Sequence, residues 1–435
     1  MNYVTQFDLG TVLPKNFYES KQFKELRSNL ESSKQSYFLT GKAGTGKSTF
    51  VEYFRLNTKK NVMILAYTGI VSIKCRGKTI HSFFKFPHHI LKRKDCKILR
   101  NQDLLKSLNT LIIDEVSMVN PNLMDAIDRS LKVNRGNDLP FGGVQMLFVG
   151  DVFQLAPIAK GKEKEVLDRM YPDGNFFFNS KWFKILNPKR IEFEKIFRQK
   201  DIDFIQKLEN IRRNQISTDV LNFFNKRVHA QQKLSDGLIL LAPTNRRAYA
   251  VNHKKLAGID KEEFIFKGTV TGSFKLSDMM SEKILKLKVG AQIMLTKNDP
   301  NERWVNGTIG FIAKLEKDKI FVKIGKRILQ VEKTTWEKFD YILKDGKFEP
   351  KVIGKFEQYP IRLAWAATIH KCQGQTFEKA IIDFDSGSFA HGMTYVALSR
   401  VKSTDGLFLI RPVKISDIRF DNRIYKFQNT VELFN

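Results

Sequence analysis

A glycine-rich stretch near the N-terminus, TGKAGTGKST, has the residue types of a phosphate cradle. Glycines let successive backbone N–H groups turn toward an anion, a lysine reaches the outer phosphates, and the next hydroxyl is a Mg²⁺ ligand. An apolar segment ending at Leu39 precedes the stretch and a predicted helix, 49–56, follows it, which is the context that such a loop requires. We therefore predict a nucleotide-binding loop formed by Gly41, Ala43, Gly44, Thr45, Gly46, Lys47, Ser48 and Thr49.

Polar residues follow two later apolar segments of the same region. Asp114 and Glu115 come directly after Leu111–Ile113, where a carboxylate can hold a metal shell and a second can polarise an attacking water. Acids after a strand are common, and the nucleotide-binding loop upstream is what favours a catalytic interpretation here. Gln154, after the segment ending at Val149, can contact a γ-phosphate and the water, or can equally serve as a turn residue or helix cap.

Two single arginines lie far from the loop in sequence. Arg198 occurs in IFRQ and Arg400 in ALSRV. A guanidinium stabilises phosphoryl charge because it offers fixed donors and stays protonated. Most arginines beside apolar residues are simply exposed or ion-paired, so residue type alone leaves both roles open.

Two segments combine hydroxyl, aromatic and basic residues, as single-strand binding sites do. They are residues 79–86, TIHSFFKF, and residues 368–376, TIHKCQGQT. Core packing is the alternative for Phe83, Phe84 and Phe86, and we expect it for at least one of the three. His370 lacks an acid or cysteine at ligand spacing, which favours hydrogen bonding over metal binding.

The composition favours a polyanion partner and a reducing compartment. The 435 residues include 74 Lys and Arg against 46 Asp and Glu, a formal net charge of +28, which predicts attraction to nucleic acid. A lysine-rich surface without a partner is the alternative. Three cysteines without ligand spacing indicate neither a disulfide framework nor a zinc site. With no apolar run long enough to span a bilayer and no secretory signal, we expect no membrane partner and a cytoplasmic, bacterial-type location or another reducing, DNA-containing compartment.

The order of apolar segments predicts an α/β protein with two parallel-sheet domains. Short strands replace this pattern over 265–357, and Asn306-Gly307 is typical of a hairpin turn. We assign residues 1–84 and 106–180 to a first domain, 85–105 to a small basic insertion, 181–264 and 358–435 to a second domain, and 265–357 to a β insertion.

The motif order resembles the Pif-one-type DNA helicases, in the RecD-like branch of helicase superfamily one, over about residues 36–412. The matching segments share both residue types and order with that family. They are GKAGTGKST, AYTGIVSIKCRGKTIHSFF (66–84), IIDEVSMV (112–119), FVGDVFQLAPI (148–158), IFRQKDIDFIQKLENIRR (196–213), AWAATIHKCQGQTFEKAIID (364–383) and AHGMTYVALSRV (390–401). The family's adenine-reading glutamine has no clear counterpart, although Gln22 and Gln35 precede the first strand.

The resemblance implies two RecA-like domains, with a wedge insertion at 85–105 and an SH3-like insertion at 265–357. It implies Mg-ATP as cofactor, with Ser48 and Asp114 as metal ligands. The implied catalytic residues are Lys47, Asp114, Glu115, Gln154, Arg198 and Arg400. The implied DNA-binding residues are Thr68, Gly69, His81, Phe83, His370, Lys371, Gln373 and Gly374.

The resemblance further implies a monomeric 5′→3′ helicase on single-stranded DNA and duplex junctions, including G-quadruplexes. A nucleotide-switched clamp that remodels DNA without unwinding it is the main alternative. A small-molecule kinase is a third possibility, which the chain length and the charge disfavour.

Overall fold

A computed structural model describes residues 15–430 except 75, 160, 200, 229–236 and 385–386. Cys75 therefore lies outside the described residues, while Cys96 and Cys372 are buried free thiols. The chain divides into two compact units. The first comprises residues up to Phe197, Glu337–Ile353 and residues from Asp421 onward, and the second comprises Arg198–Trp336 and Gly354–Phe420. Within the described residues, no helix is both long and apolar enough to cross a membrane.

The first unit is built on a parallel sheet with strand order β3-β2-β4-β5-β1-β6. Its central strands read as nearly continuous apolar runs because helices cover both faces. The strands are β1 (Tyr37–Gly41), β2 (Val62–Ala66), β3 (Lys78–Thr79), β4 (Thr110–Asp114), β5 (Gln145–Val149) and β6 (Lys189–Phe193). The helices are α1 (Lys15–Tyr18), α2 (Lys21–Ser32), α3 (Lys47–Asn57), α4 (Gly69–Lys74), α5 (Ile80–Phe84), α6 (Gln102–Lys106), α7 (Pro121–Arg135), α8 (Gly161–Met170) and α9 (Lys181–Leu186).

An aromatic cluster packs α2 and α3 against one face of this sheet. The Phe23 ring meets Phe50 and Tyr53 edge to face at 5.1 and 5.0 Å between centroids. Phe50 also contacts Phe193 of β6 at 5.8 Å. Burial of each such side chain contributes about 1.5–3 kcal/mol, so the helix that follows the glycine-rich loop is firmly held.

The second unit holds a smaller parallel sheet, β18-β7-β19-β20, and antiparallel sheets, among them β14-β13-β12-β11-β17. Its strands are β7 (Ile239–Ala242), β8 (Phe264–Lys267), β9 (Thr269–Gly272), β10 (Ile284–Leu287), β11 (Gln292–Leu295), β12 (Ile309–Glu316), β13 (Lys319–Ile324), β14 (Arg327–Val331), β17 (Ile361–Leu363), β18 (Ala366–Thr368), β19 (Ala380–Ile382) and β20 (Leu407–Leu409). Its helices are α10 (Ile202–Arg212), α11 (Thr218–Asn225), α12 (Asn245–Ala257) and α13 (Met393–Leu398). The α/β pattern and the change to short strands near 265 are both present.

The Asn306-Gly307 turn differs from the expectation of a tight hairpin. Strands β11 and β12 are antiparallel partners, but residues 296–308 connect them. A bidentate ion pair between Arg303 and Asp299, at 2.6 and 2.8 Å, orders this connection from within. The Asn-Gly signal therefore marked the last turn of a longer loop.

Two long strands contain residues of both units. These are β15 (Thr334–Lys344) and β16 (Lys347–Gln358), whose distal part, 337–353, groups with the first unit. There, Asp340 accepts a 2.6 Å bond from Lys78 Nζ, and the Tyr341 hydroxyl donates to the Arg76 carbonyl at 2.6 Å. The distal hairpin thus packs against the residues that lead into α5.

The C-terminal helix α14 (Arg423–Thr430) belongs to the first unit, whereas the sequence pattern places residues up to 435 in the second. The Phe427 ring stacks on Phe178 with centroids 4.1 Å apart and also contacts Phe38 and Phe183. The Gln428 carbonyl accepts a 2.8 Å bond from Arg190. A single apolar face on a short helix does not specify which sheet it covers, so sequence patterning could not assign it.

Candidate functional site

The glycine-rich loop connects β1 to the N-terminus of α3, as its sequence predicts. Gly46 adopts φ 90°, a left-handed conformation, immediately before the helix, which glycine enters without steric cost. At Gly41, with φ 145°, an added Cβ would lie 2.4 Å from the Phe193 carbonyl oxygen. The Gly44 carbonyl accepts a 2.9 Å bond from Phe197 N–H. The loop is therefore preshaped, and a side chain at Gly41 would displace β6.

Lys47 lies across the loop that it follows. Its Nζ donates to the carbonyls of Gly41 at 2.6 Å and Lys42 at 3.0 Å. Ser48, the next residue, is exposed at the start of α3. An ammonium and a hydroxyl at a helix N-terminus are suited to bind phosphate oxygens and a phosphate-bound cation.

Asp114 ends β4, and Glu115 follows it in a left-handed conformation with φ 51°. The Glu115 N–H donates to Asp114 Oδ1 at 2.9 Å. Burial raises the pKa of Asp114 to about 6, although this backbone bond and the charge of Lys47 both lower it. The structure therefore brings the Lys47 ammonium and the Asp114 carboxylate into one electrostatic site.

Gln154 lies in the loop after β5, beside a residue that the sequence reasoning did not single out. Asp151 is fully buried. Its backbone carbonyl accepts from Gln154 N–H at 2.9 Å, and its Oδ2 accepts from Gln154 Nε2 at 3.4 Å. Strands β1, β4 and β5 are parallel neighbours, so their carboxyl ends share one sheet edge, where ligands of such sheets bind. An Asp three residues before the glutamine was the available signal for this turn.

The segment before and within α5 holds the other sequence-predicted residues of the first unit. The Thr68 hydroxyl accepts from Val71 N–H at 3.4 Å at the start of α4, with Gly69 next to it. The burial of Phe83 argues against the DNA contact predicted for it. Its side chain is only 7% exposed and packs edge to face against Phe84, with ring centroids 4.8 Å apart. Phe84 and Phe86 are buried as well, so core packing accounts for all three phenylalanines.

His81 is half-buried and lies in a stack of rings. Its ring is nearly parallel to that of His88, with centroids 4.5 Å apart, and it meets Tyr67 edge to face. Burial, and to a lesser extent the like charge of the neighbouring His88, lowers the pKa of His81 to about 4. At neutral pH the His81 ring is therefore uncharged, and it can act as a hydrogen-bonding and stacking group but not as a cation.

The low pKa of His81 predicts that the first unit loses stability in mild acid. Between pH 6.5 and about 4 the unfolded chain binds a proton that the folded chain does not bind, so the free energy of unfolding falls as the pH is lowered through this window. Urea titrations at pH 7 and pH 5 should show a smaller drop for His81→Gln than for the unchanged chain. An equal drop in both proteins would refute this assignment.

In the second unit, both predicted arginines bind the loop that follows β18. Arg198 Nη2 donates to the Gly374 carbonyl at 3.4 Å. Arg400 is 1% exposed, and its Nη1 reaches the Cys372 carbonyl at 3.5 Å and the Gln375 carbonyl at 3.3 Å. Its Nε donates to the Val396 carbonyl at 2.8 Å. Arg400 thus connects α13 to the loop after β18 through buried hydrogen bonds. The ALSRV motif by itself did not indicate this structural role.

Gln199 is a second residue that the sequence reasoning passed over. It is buried, and its Nε2 donates to the carbonyls of Ser399 and Val401, both at 3.1 Å. Because it follows Arg198 directly and binds on both sides of Arg400, it fixes the two arginine-bearing segments relative to each other. Its position beside the arginine in FRQ was the available signal.

The loop at 369–376 carries the remaining sequence-predicted residues in compact turns. Lys371 N–H donates to the Thr368 hydroxyl at 3.3 Å, and Gln373 N–H donates to the His370 carbonyl at 3.2 Å. Gly374 is exposed, with φ 77°. The loop therefore presents an exposed backbone edge beside basic and aromatic side chains.

The family of PIF1-like helicases matches residues 19–222, and the 2B domain of DNA helicase Pif1 matches residues 274–315. The chain is 31% identical over 395 residues to the ATP-dependent DNA helicase Pif1 of Bdellovibrio bacteriovorus, with 88% of this chain and 85% of that protein covered.

Among solved structures, Bacteroides sp. Pif1 in complex with ADP-AlF4 gives a TM-score of 0.87 at 34% identity, covering 94% of this chain and 96% of that one. Bacteroides Pif1 bound to single-stranded DNA gives a TM-score of 0.68 at 35% identity, with the same coverage.

Proposed function

Since this chain belongs to the family of PIF1-like helicases and is an ATP-hydrolysing DNA helicase, we propose that it moves 5′→3′ along single-stranded DNA as a monomer and unwinds the duplex ahead of it. The family and the two-domain α/β fold that the sequence predicts are thereby confirmed. The proposal extends to G-quadruplex DNA as a second obstacle. The observation that supports it most directly is the convergence of Lys47, Asp114 and the Asp151–Gln154 turn on one sheet edge.

In this proposal the first unit carries out the chemistry. Lys47 neutralises charge on the outer phosphates, Glu115 polarises the attacking water, and Gln154 senses the γ-phosphate. Asp151 acts as a positioning residue, since it holds the Gln154 amide through both its backbone and its carboxylate. Arg198 and Arg400 supply positive charge to the phosphates during hydrolysis.

The residues present fit Mg²⁺ as the metal partner of ATP. Mg²⁺ prefers oxygen ligands and is usually bound by one or two carboxylates together with substrate phosphates. Asp114 offers a buried carboxylate, and Ser48 offers an exposed hydroxyl at the start of α3. Bound there, Mg²⁺ would neutralise phosphate charge, and the Lys47 charge keeps the pKa of Asp114 from rising further.

DNA binding is assigned to one segment in each unit. In the first unit these residues are Thr68, Gly69 and His81, whose hydroxyl, backbone and neutral imidazole suit backbone contacts. In the second unit the loop 370–374 contributes His370, Lys371, Gln373 and Gly374. Phe83 is left out of this set because its ring is in the core.

Strand displacement tests the proposal. Matched duplexes with a 5′ or a 3′ single-stranded tail should be incubated with the protein, with and without Mg-ATP. We expect displacement of the 5′-tailed substrate only, with ATP turnover raised by the unpaired strand. Displacement from the 3′ tail would refute the polarity. ATP turnover stimulated by DNA without displacement of either duplex would instead favour the clamp that remodels DNA without unwinding it.

A further inference from the structure

Strand β14 lies at one edge of the five-stranded antiparallel sheet of the second unit. Within the described residues it pairs with β13 alone, and no hydrogen bond from another described segment reaches its backbone. Alternate residues of an edge strand direct their N–H and C=O groups away from the neighbouring strand, so about half of the β14 backbone groups lie on an open edge. The strand thus offers main-chain donors and acceptors to a further strand.

The two faces of β14 differ in burial. Leu329 and Val331 pack into the apolar core of the sheet, whereas Ile328 is 62% exposed, because successive side chains of a strand point to opposite faces. Ile328 lies directly opposite Lys323 of β13, which is exposed as well. The open edge therefore carries an exposed β-branched side chain that can pack against a side chain of an added strand.

The charges around this edge are positive and uncompensated. Residues 319–331 contain three lysines, one arginine and no Asp or Glu. Lys323, Lys326 and Arg327 are exposed, and none of the three forms an ion pair within the part of the chain that the structure describes. The edge of β14 therefore attracts carboxylates and repels cations.

We propose that the open edge of β14 binds an extended peptide in which acidic and apolar residues alternate, by addition of a strand to the sheet. In this mode of recognition, main-chain hydrogen bonds supply affinity and alternate side chains supply specificity. Because successive residues of the peptide also point to opposite faces, an acidic residue would lie beside Arg327 and the next, apolar residue beside Ile328.

The same features disfavour two other occupants. A second copy of this chain would bring the same cationic residues against β14, and like charges across a strand pair are destabilising. The phosphates of duplex DNA would pair with Lys323, Lys326 and Arg327, but they would leave Ile328 and the open backbone edge without partners. An acidic, partly apolar peptide uses all of these groups.

The affinity for a designed peptide tests the proposal. The probe is a fluorescein-labelled heptapeptide with Asp and Val in alternation, titrated with the full chain at physiological salt and followed by fluorescence anisotropy. Arg327→Glu should raise the Kd at least about tenfold, because it places like charges side by side. A peptide with Lys in place of Asp should bind this variant more tightly than the probe does. Ile328→Ser should also raise the Kd, whereas Ile328→Val should not.

Lys254→Glu is the matched control for charge reversal, since Lys254 is exposed on α12 of the same unit, and it should leave the Kd unchanged. Methylation of the amide nitrogens of one set of alternate peptide residues should abolish binding, and methylation of the other set should not, because only one set faces β14.

Three results would overturn the proposal. They are the absence of binding of the probe to the unchanged chain, equal binding of both methylated peptides, and an unchanged Kd in Arg327→Glu. If Arg327→Glu weakened binding of a short DNA duplex and left the peptide Kd unchanged, the edge would belong to DNA instead. DNA-stimulated ATP turnover should be the same in all these variants, which separates this proposal from the proposed function.

Discussion

Replacement of Lys47 by alanine is expected to lower the turnover number for ATP by about 10²–10³-fold or more, the effect of removing one preorganised charge stabiliser. The Lys47 ammonium binds the carbonyls of Gly41 and Lys42. Without it, these two carbonyls would face the phosphates with no positive charge between them. The pKa of Asp114 should rise further, because Lys47 lowers it. A protonated Asp114 would be a poorer Mg²⁺ ligand at neutral pH.

The measurement is steady-state ATP hydrolysis with saturating single-stranded DNA, together with DNA affinity in the absence of nucleotide. DNA affinity should be nearly unchanged in Lys47→Ala, because the proposed DNA residues lie in other segments. Lys59→Ala is the matched control, as Lys59 is exposed beyond the C-terminal end of the same helix, and it should hydrolyse ATP normally. Turnover in Lys47→Ala within twofold of the unchanged chain would refute the assignment.

The second large effect should separate the two arginines of the second unit. Arg198→Ala and Arg400→Ala should each lower ATP hydrolysis by at least about 10³-fold if both supply charge to the phosphates. Only Arg400→Ala should also lower the free energy of unfolding markedly. Arg400 is 1% exposed, and its removal deletes its buried hydrogen bonds to the Val396 and Cys372 carbonyls, each worth about 0.5–1.5 kcal/mol.

Thermal unfolding and ATP hydrolysis measured side by side make this distinction. Arg411→Ala is the matched control, because Arg411 forms a bidentate ion pair with Asp417 at 2.7 and 2.8 Å in the same unit. It should lower stability and leave hydrolysis intact at a temperature where the protein is folded. Normal hydrolysis by folded Arg198→Ala would exclude that residue from catalysis, and an unchanged melting temperature for Arg400→Ala would contradict the structural role given to its buried bonds.

Local patterns predicted much of the fold because the relevant interactions are close in sequence. Strand β5 ends at Val149, as the apolar segment predicts, and the helix after the nucleotide-binding loop begins two residues before and ends one residue after the predicted range, 49–56. These elements are specified by apolar runs and by glycines that one backbone conformation requires. The family assignment succeeded for the same reason, since its motifs are short and contiguous.

What the sequence could not specify depends on contacts between distant segments. Burial of Phe83 depends on packing of the whole α5 region, and the hydrogen bonds of Arg400 depend on a carbonyl 28 residues earlier. The placement of Phe427 in the first unit depends on rings near residue 180. Residue type and spacing leave all three environments open.

The attachment of α14 to the first unit bears on how the protein is made. Translation delivers the nucleotide-binding loop early, whereas Phe427, which completes the aromatic packing over Phe38 and Phe178, is synthesised much later than either ring. A nascent chain therefore exposes that apolar face of β1 until α14 has been synthesised. Consequently, products that terminate before α14 should expose this aromatic face and be readily recognised by chaperones and proteases.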